Sequence, residues 1–283
     1  MSKKYIDQFI QNALKEDIGE GDHTTLATIP KNTMGKAKLL IKEDGVIAGI
    51  EEAVQLFKAI DKKSRITTYL HDGQQVHKGQ VAFVVSAPIH TILKAERLVL
   101  NIMQRMSGIA TKTAALVEKV KGYPCTILDT RKTTPGMRFL EKKAVKTGGG
   151  KNHRMGLYDM ILLKDNHIDF SGGITTALRK TQNYLKEKKK KLFIIVEART
   201  LADVREILAC GCAGRILLDN FTPAMTKKAV KIIGKKMQIE SSGRINARNI
   251  RHYAACGVDF ISIGSLTNHI HSLDLSLKAD IEK

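Results

Sequence analysis

Apolar residues at Ile6, Phe9, Ile10, Ala13 and Leu14 share one face of a helix over 6–17. The rhythm then shortens. From 36 to 87, "KAKLLIKEDGVIAG" and "ITTYLHDGQQVHKGQVAFVVSA" alternate with period two around Asp-Gly and Lys-Gly turns. This predicts one antiparallel sheet, interrupted by a helix near 51–60. The stretch "TILKAERLVLNIMQRMSGIATKTAALVEKV" (91–120) returns to helical spacing, with a break expected at Gly108.

After residue 124 the pattern changes again. Six short apolar runs follow: "TILD", "MILLK", "FIIVE", "RILLD", "MQIESS" and "DFISIG". Helix-like stretches such as "TLADVREILACG" and "NARNIRHYAACG" separate them. Strands alternating with helices predict a parallel sheet, which right-handed crossovers curl toward a barrel. The expected class is therefore α/β, with a barrel-like C-terminal domain of about six strands, incomplete as a barrel. The expected domains are 1–110 and 111–283, with the last helix packing back on the first domain.

The runs end at Asp129, Lys164, Glu197, Asp219, Ser242 and Gly264, and from Glu197 onward the spacings are 22, 23 and 22 residues. Such exits occupy equivalent places in successive βα units, and ligands collect at that end of a barrel. A single charged exit is a solvated loop end; several on one rim make a site. Two acids, Glu197 and Asp219, face a larger set of bases: Arg131, Lys132, His153, Arg154 and Lys164. That balance suits a substrate with several negative charges, leaving the carboxylates for hydroxyls or a magnesium ion. The last two exits, "SSGR" (241–244) and "IGS" (263–265), are small and precede helices, so their backbone N–H groups suit a phosphate monoester.

Composition narrows this picture. A chain of 283 residues, 43% hydrophobic and 27% charged, is ordinary for a globular protein. No long apolar run predicts a membrane span, and the first residues lack a secretory h-region. Four cysteines at 125, 210, 212 and 256 form no CxxC pair, so a reduced, cytoplasmic setting is expected. The net charge of +19 would suit nucleic acid, but no recognition motif accompanies it and aromatics are only 5%. A small polyanion is preferred and no nucleic-acid partner is expected. Metal-ligand spacing is weak: His153 and His167 are fourteen positions apart among cations, with no HxxxH. His153, beside the triple glycine at 148–150, is the functional candidate, and His167 the structural one. Lys132 and Lys164 keep a Schiff-base aldolase reading open.

Several stretches together resemble the quinolinate phosphoribosyltransferase family. They are "EDIGEGDHTT" (16–25), "AERLVLNIMQRMSGIAT" (95–111), "DTRKTTPGMR" (129–138), "GGGKNHRMGLYDMILLKDNHI" (148–168), "VEA" (196–198), "LLDNF" (217–221), "ESSGRI" (240–245) and "GVDFISIGSLT" (257–267). No single piece is specific; the set in this order is. The resemblance implies an N-terminal open sandwich of α+β type, a barrel-like C-terminal domain and a homodimer or higher oligomer. It implies nicotinate mononucleotide, CO2 and diphosphate made from quinolinate and phosphoribosyl pyrophosphate, with Mg²⁺.

By the same resemblance, Thr130, Arg131, His153, Arg154 and Lys164 would surround quinolinate, with Arg97 reaching in from a second copy. Lys132 would meet the diphosphate or ribose, and Glu197 and Asp219 the ribose hydroxyls and magnesium. Ser242, Gly243, Ile263, Gly264 and Ser265 would hold the 5-phosphate. Arg131, Lys132, Lys164, Glu197 and Asp219 would carry the chemistry. One departure stands out: the family commonly has two glycines after the serine, and here Gly243 is followed by Arg244, which is expected to contact the phosphate itself. A sister group tied to molybdenum utilisation shares several motifs and is the alternative.

Overall fold

A computed structural model of the chain describes residues 3–280. In chain order the first elements are α1 (Lys3–Ile18), α2 (His23–Thr28), β1 (Met34–Ile41), β2 (Gly45–Val46), α3 (Ile50–Ile60), β3 (Arg65–Thr68), β4 (Gln75–Val76), β5 (Val81–Pro88) and α4 (Ile89–Lys119). Then follow β6 (Thr126–Leu128), α5 (Arg138–Thr147), β7 (Ile161–Leu163), α6 (Asp165–Ser171), α7 (Ile174–Glu187), β8 (Ile194–Ala198), α8 (Leu201–Cys210) and β9 (Arg215–Asp219). The last are α9 (Pro223–Ile233), β10 (Gln238–Ser242), α10 (Ile250–Ala254), β11 (Phe260–Ser262), α11 (Ser265–Asn268) and β12 (Leu275–Ala279).

Two compact units result, and a single cut at 110 does not describe them. The first runs to Ala114 and adds Thr134–Gly149 and the chain from His269; the second is Ala115–Thr133 with Gly150–Asn268. The first unit holds an antiparallel sheet in the order β12-β1-β5-β3 and a small β2-β4 pair. The α+β character is as expected, but its last element is a strand rather than a helix. "LSLKA" alternates with period two, and Leu275 and Leu277 are buried where β12 pairs with β1. Leu39, Leu56, Phe57 and Phe83 are wholly buried, and the rings of Phe57 and Phe83 meet edge-to-face at 6.2 Å.

Helix α4 also runs unbroken through Gly108. This glycine serves close packing rather than a break: a Cβ there would run into the carbonyl oxygen of His271. Gly148, first of the triple glycine, has a similar task, since a Cβ would strike the Ala110 carbonyl oxygen. The triple glycine is therefore partly a packing feature of the first unit, not only an approach to an anion.

The second unit is the expected parallel βα array. Its six strands lie in the order β6-β11-β10-β9-β8-β7, every pair parallel, with β6 and β7 at opposite ends. The barrel is thus open, as six strands implied. Lys151 adds one bridge to the outer edge of β6, exchanging backbone hydrogen bonds with Ile127 and Asp129. The crossover helices start and stop on local signals. Thr200 caps α8 in a box with Asp203, and Gly211 ends it in the left-handed region. Thr222 caps α9, Pro223 opens it and Gly234 follows its last turn. Buried on both faces, β8 is inaccessible along its whole length.

Candidate active site

Parallel register turns the sequence exits into a shared rim. Leu163 lies opposite Val196, so Lys164 and Glu197 leave the sheet side by side. Ser242 lies opposite Asp219, which places the phosphate-type exit beside the second acid. At the other end Asp129 follows β6, and Gly264 follows β11. The six exits therefore run in one order around one edge of the second unit.

The acids interact. Glu197 is only 7% exposed, and its pKa is pushed up to about 7 by burial first and then by the negative charge of Asp219, against the pull of Lys164. Near neutrality it is divided between the two protonation states. The bases interact as well. Arg154 is buried, and its pKa is depressed by burial and then by the neighbouring Arg131 charge, with Asp159 acting the other way. Two guanidiniums that act on one another in this way favour an anion as their neighbour.

The segment carrying Arg154 is tied down one residue at a time. Buried Asp129 accepts the His153 N–H at 2.8 Å and the Asn152 amide at 2.6 Å. Asp159 accepts the N–H groups of Met155 and Gly156 at 2.7 and 3.0 Å, folding the loop back toward β7. His153 lies beneath the rim rather than on it. Its Nδ1 accepts the Arg154 N–H at 2.8 Å, and its Nε2 is 3.4 Å from Glu240 Oε2. It is thus engaged by protein on both ring nitrogens, which makes it a support for Arg154 before it is a substrate contact. His167 is structural, as its context suggested: its Nδ1 accepts the Lys164 N–H at 3.1 Å, holding the start of α6.

Lys132 lies across the last strand exit. Its backbone carbonyl accepts from Thr267 Oγ1 at 2.8 Å, and a Cβ at Gly264 would come within 3.0 Å of its Cδ. A side chain at 264 would make Lys132 shift aside. The Thr130 hydroxyl accepts the Lys132 N–H at 3.1 Å, so its oxygen shapes the turn. In the neighbouring loop Gly243 has φ +90°, and a Cβ would collide with the Asn220 side chain. Arg244 follows with φ +54°, its carbonyl held by Asn249 Nδ2 at 3.1 Å. A second glycine would relax there; an arginine is strained. Lys132, Lys164 and Arg244 are all exposed, and neither lysine has the burial a Schiff-base amine needs. Arg97 lies in the first unit, exposed on α4.

What the sequence reading missed is below the rim. Arg215 and Glu240 point from β9 and β10 into the interior, joined at 2.8 Å and both buried. Their signal was present: a charged residue in each of two runs that the alternation of strands and helices places in the sheet, "RILLD" and "QIESS".

With the geometry in hand, comparison with known proteins decides the family. The profile of the quinolinate phosphoribosyl transferase N-terminal domain matches residues 22–107, and that of the C-terminal domain matches 109–278. The chain belongs to the quinolinate phosphoribosyltransferase family. A Nicotiana tabacum protein, quinolinate phosphoribosyltransferase (decarboxylating) 1b, is 43% identical over 96% of this chain and 82% of its own. The probable nicotinate-nucleotide pyrophosphorylase (carboxylating) of Bacillus subtilis is 36% identical over 98% of this chain and 94% of its own. Among solved structures, NadC from Streptococcus pyogenes superposes with a TM-score of 0.92 at 34% identity, covering 99% of both chains. The nicotinate-nucleotide pyrophosphorylase of Francisella tularensis gives 0.91 at 35% identity, over 99% and 98%. The family's two-part α/β fold and its phosphoribosyltransferase class therefore apply to this chain, and the aldolase and molybdenum-linked alternatives are not favoured. Among the described residues no helix is long and apolar enough to cross a membrane.

Proposed function

We propose that the rim of the second unit joins quinolinate to phosphoribosyl pyrophosphate and releases CO2 and diphosphate. The observation that carries this is the register that sets two acids, Glu197 and Asp219, on one sheet edge with the bases Arg131, Arg154 and Lys164 on the same rim. A pyridine with two carboxylates fits the first. A ribose that becomes positively charged at its anomeric carbon fits the second.

Arg131, Arg154 and Lys164 hold the carboxylates and aim the ring nitrogen at the anomeric carbon. As that bond forms, the bond to diphosphate breaks, and Lys132 neutralises the departing charge. Glu197 and Asp219 hold the ribose hydroxyls and stabilise the developing cation. The ring nitrogen, now positively charged, draws the electron pair left when the adjacent carboxylate departs as CO2, and a proton takes its place. No covalent nucleophile is needed; orientation and neutralisation suffice. Ser242, Gly243, Ile263, Gly264 and Ser265 hold the 5-phosphate with backbone and hydroxyl donors. Arg244 adds a cation there in place of a second glycine.

Magnesium fits this donor set. Glu197 and Asp219 repel one another and would share a cation. Such an ion would take one or two carboxylates, with water and substrate phosphates completing its shell. When bound, it would offset the charge on the leaving diphosphate. Arg97 is proposed to reach the rim of a second copy, making a homodimer the working assembly. The four cysteines are all free thiols, in keeping with a reducing compartment such as the cytoplasm.

The direct test incubates purified protein with quinolinate, phosphoribosyl pyrophosphate and Mg²⁺ and follows CO2 and diphosphate. Nicotinate, which lacks the second carboxylate, should react at least about a hundredfold less well. No CO2 from quinolinate, or equal use of nicotinate, rejects the reading. Sedimentation of the same sample tests the dimer.

A further inference from the structure

Beneath the rim, three buried polar side chains, His153, Glu240 and Arg215, form a continuous line that ends at the exposed Gln238. Gln238 Oε1 accepts from Arg215 Nε and Nη2 at 3.2 and 3.1 Å. Arg215 Nη1 donates to Glu240 Oε2 at 2.8 Å, and the same oxygen faces His153 Nε2 at 3.4 Å. The Arg215 guanidinium is stacked 3.8 Å from the centre of the Phe260 ring, which fixes its plane. Glu240 is wholly inaccessible, yet its Oε1 has no hydrogen-bond partner among the described residues. A buried carboxylate with one unsatisfied oxygen is a poor way to stabilise a strand, and an apolar residue would pack there at less cost.

The line has a direction. A backbone N–H can only donate, so His153 Nδ1, which receives the Arg154 N–H, must be an acceptor, and the ring proton resides on Nε2. That is the proton facing Glu240. We propose that Glu240 is a positioning residue for the reaction: it fixes the His153 tautomer, and through it the backbone from which Arg154 grips the pyridine carboxylates. Arg215 keeps the Glu240 carboxylate in place, and Gln238 keeps Arg215 in place. Burial works against the Glu240 charge, but the His153 and Arg215 hydrogen bonds hold its pKa below the ordinary carboxylate value.

This inference rests on the proposed function, and its test separates the two. Glu240 and Ser242 lie two residues apart on β10, on the same side of the strand. If Glu240 merely supports β10, Glu240→Gln should damage the phosphate loop that Ser242 begins, and KM for phosphoribosyl pyrophosphate should rise with KM for quinolinate. If it positions Arg154, KM for quinolinate alone should rise, by about tenfold or more, the size expected for loss of one charge-assisted hydrogen bond. In the variant the amide oxygen can take the place of Oε2 before both donors, so what is lost is the negative charge that strengthens the two hydrogen bonds. Restoring the charge with Glu240→Asp should recover part of the loss.

Turnover of quinolinate by the unaltered protein with unchanged constants in Glu240→Gln overturns the inference and leaves the function standing. No turnover by the unaltered protein overturns the function. Because the variant can fail to fold, the second measurement uses the unaltered protein. Nitrogen-15 spectra of its histidines should show the neutral His153 ring with its proton on Nε2 and a bare Nδ1. A neutral ring protonated on Nδ1 overturns the proposal.

Discussion

The two units bury their strands in opposite ways. In the first, β1 alternates between covered and uncovered positions, and every wholly buried residue on it is apolar. In the second, β9 and β10 carry a buried Arg215 and a Glu240 as inaccessible as Leu39 or Phe83. One sheet is a packed wall, and its stability comes from apolar area and shape. The other spends part of its core on charges that stabilise little by themselves and cost much if left unpaired. The contrast teaches where to look for chemistry. Charge tolerated in the sheet of the second unit lies under the exits that hold Glu197 and Ser242, whereas the buried charges of the first unit, Glu52, Glu141 and Lys142, lie on helices and among the described residues its strands bury none.

Substitutions can break that contrast in order of size. Phe83→Ala, in the wall, should destabilise the protein by about 3–5 kcal/mol, read from urea denaturation, while kcat per folded molecule stays unchanged. A loss of kcat without loss of stability would contradict the division of labour. Arg154→Ala should do the reverse. Removing half of the paired-guanidinium site should lower kcat/KM for quinolinate by about a thousandfold, with a denaturation midpoint close to that of the unaltered protein.

Glu197→Gln joins both kinds of effect. The Glu197 pKa is raised from 4.5 to about 7 in the folded chain, so its contribution to stability is full below about pH 4.5 and is lost as pH rises through about 7. Ionising it inside the fold costs about 3 kcal/mol at high pH. The glutamine variant should therefore be inactive, equal in stability to the unaltered protein near pH 4.5, and more stable than it above pH 8. Melts at the two pH values check this, and equal stability at both would remove the buried-acid argument. Smallest of all, Arg244→Gly should relieve a left-handed residue and raise stability by about 1 kcal/mol. It should also weaken binding of phosphoribosyl pyrophosphate if the arginine meets the 5-phosphate. Unchanged affinity would remove Arg244 from the site while leaving the strain argument intact.

Much of this was written in the chain. The six exits of the second unit, the spacing between them, and the charges of Arg131, Arg154, Lys164, Glu197 and Asp219 could be read directly, because period and turn residues are local properties. Motif order then pointed to a family that the profiles support. The order of the strand exits along one sheet edge was therefore legible.

Tertiary structure alone decided the rest. Gly108 looked like a helix break, but its meaning lies in the His271 carbonyl, far along the chain. "LSLKA" needed β1 as a partner before it could be a strand, a pairing tied by Lys38 and Asp280 at 3.0 Å. The engagement of His153 with Glu240, and of Glu240 with Arg215, depends on which strands become neighbours and which faces turn inward. Such contacts are set by chain closure and by the cost of burying charge without a partner, and neither leaves a periodic trace in the order of residues.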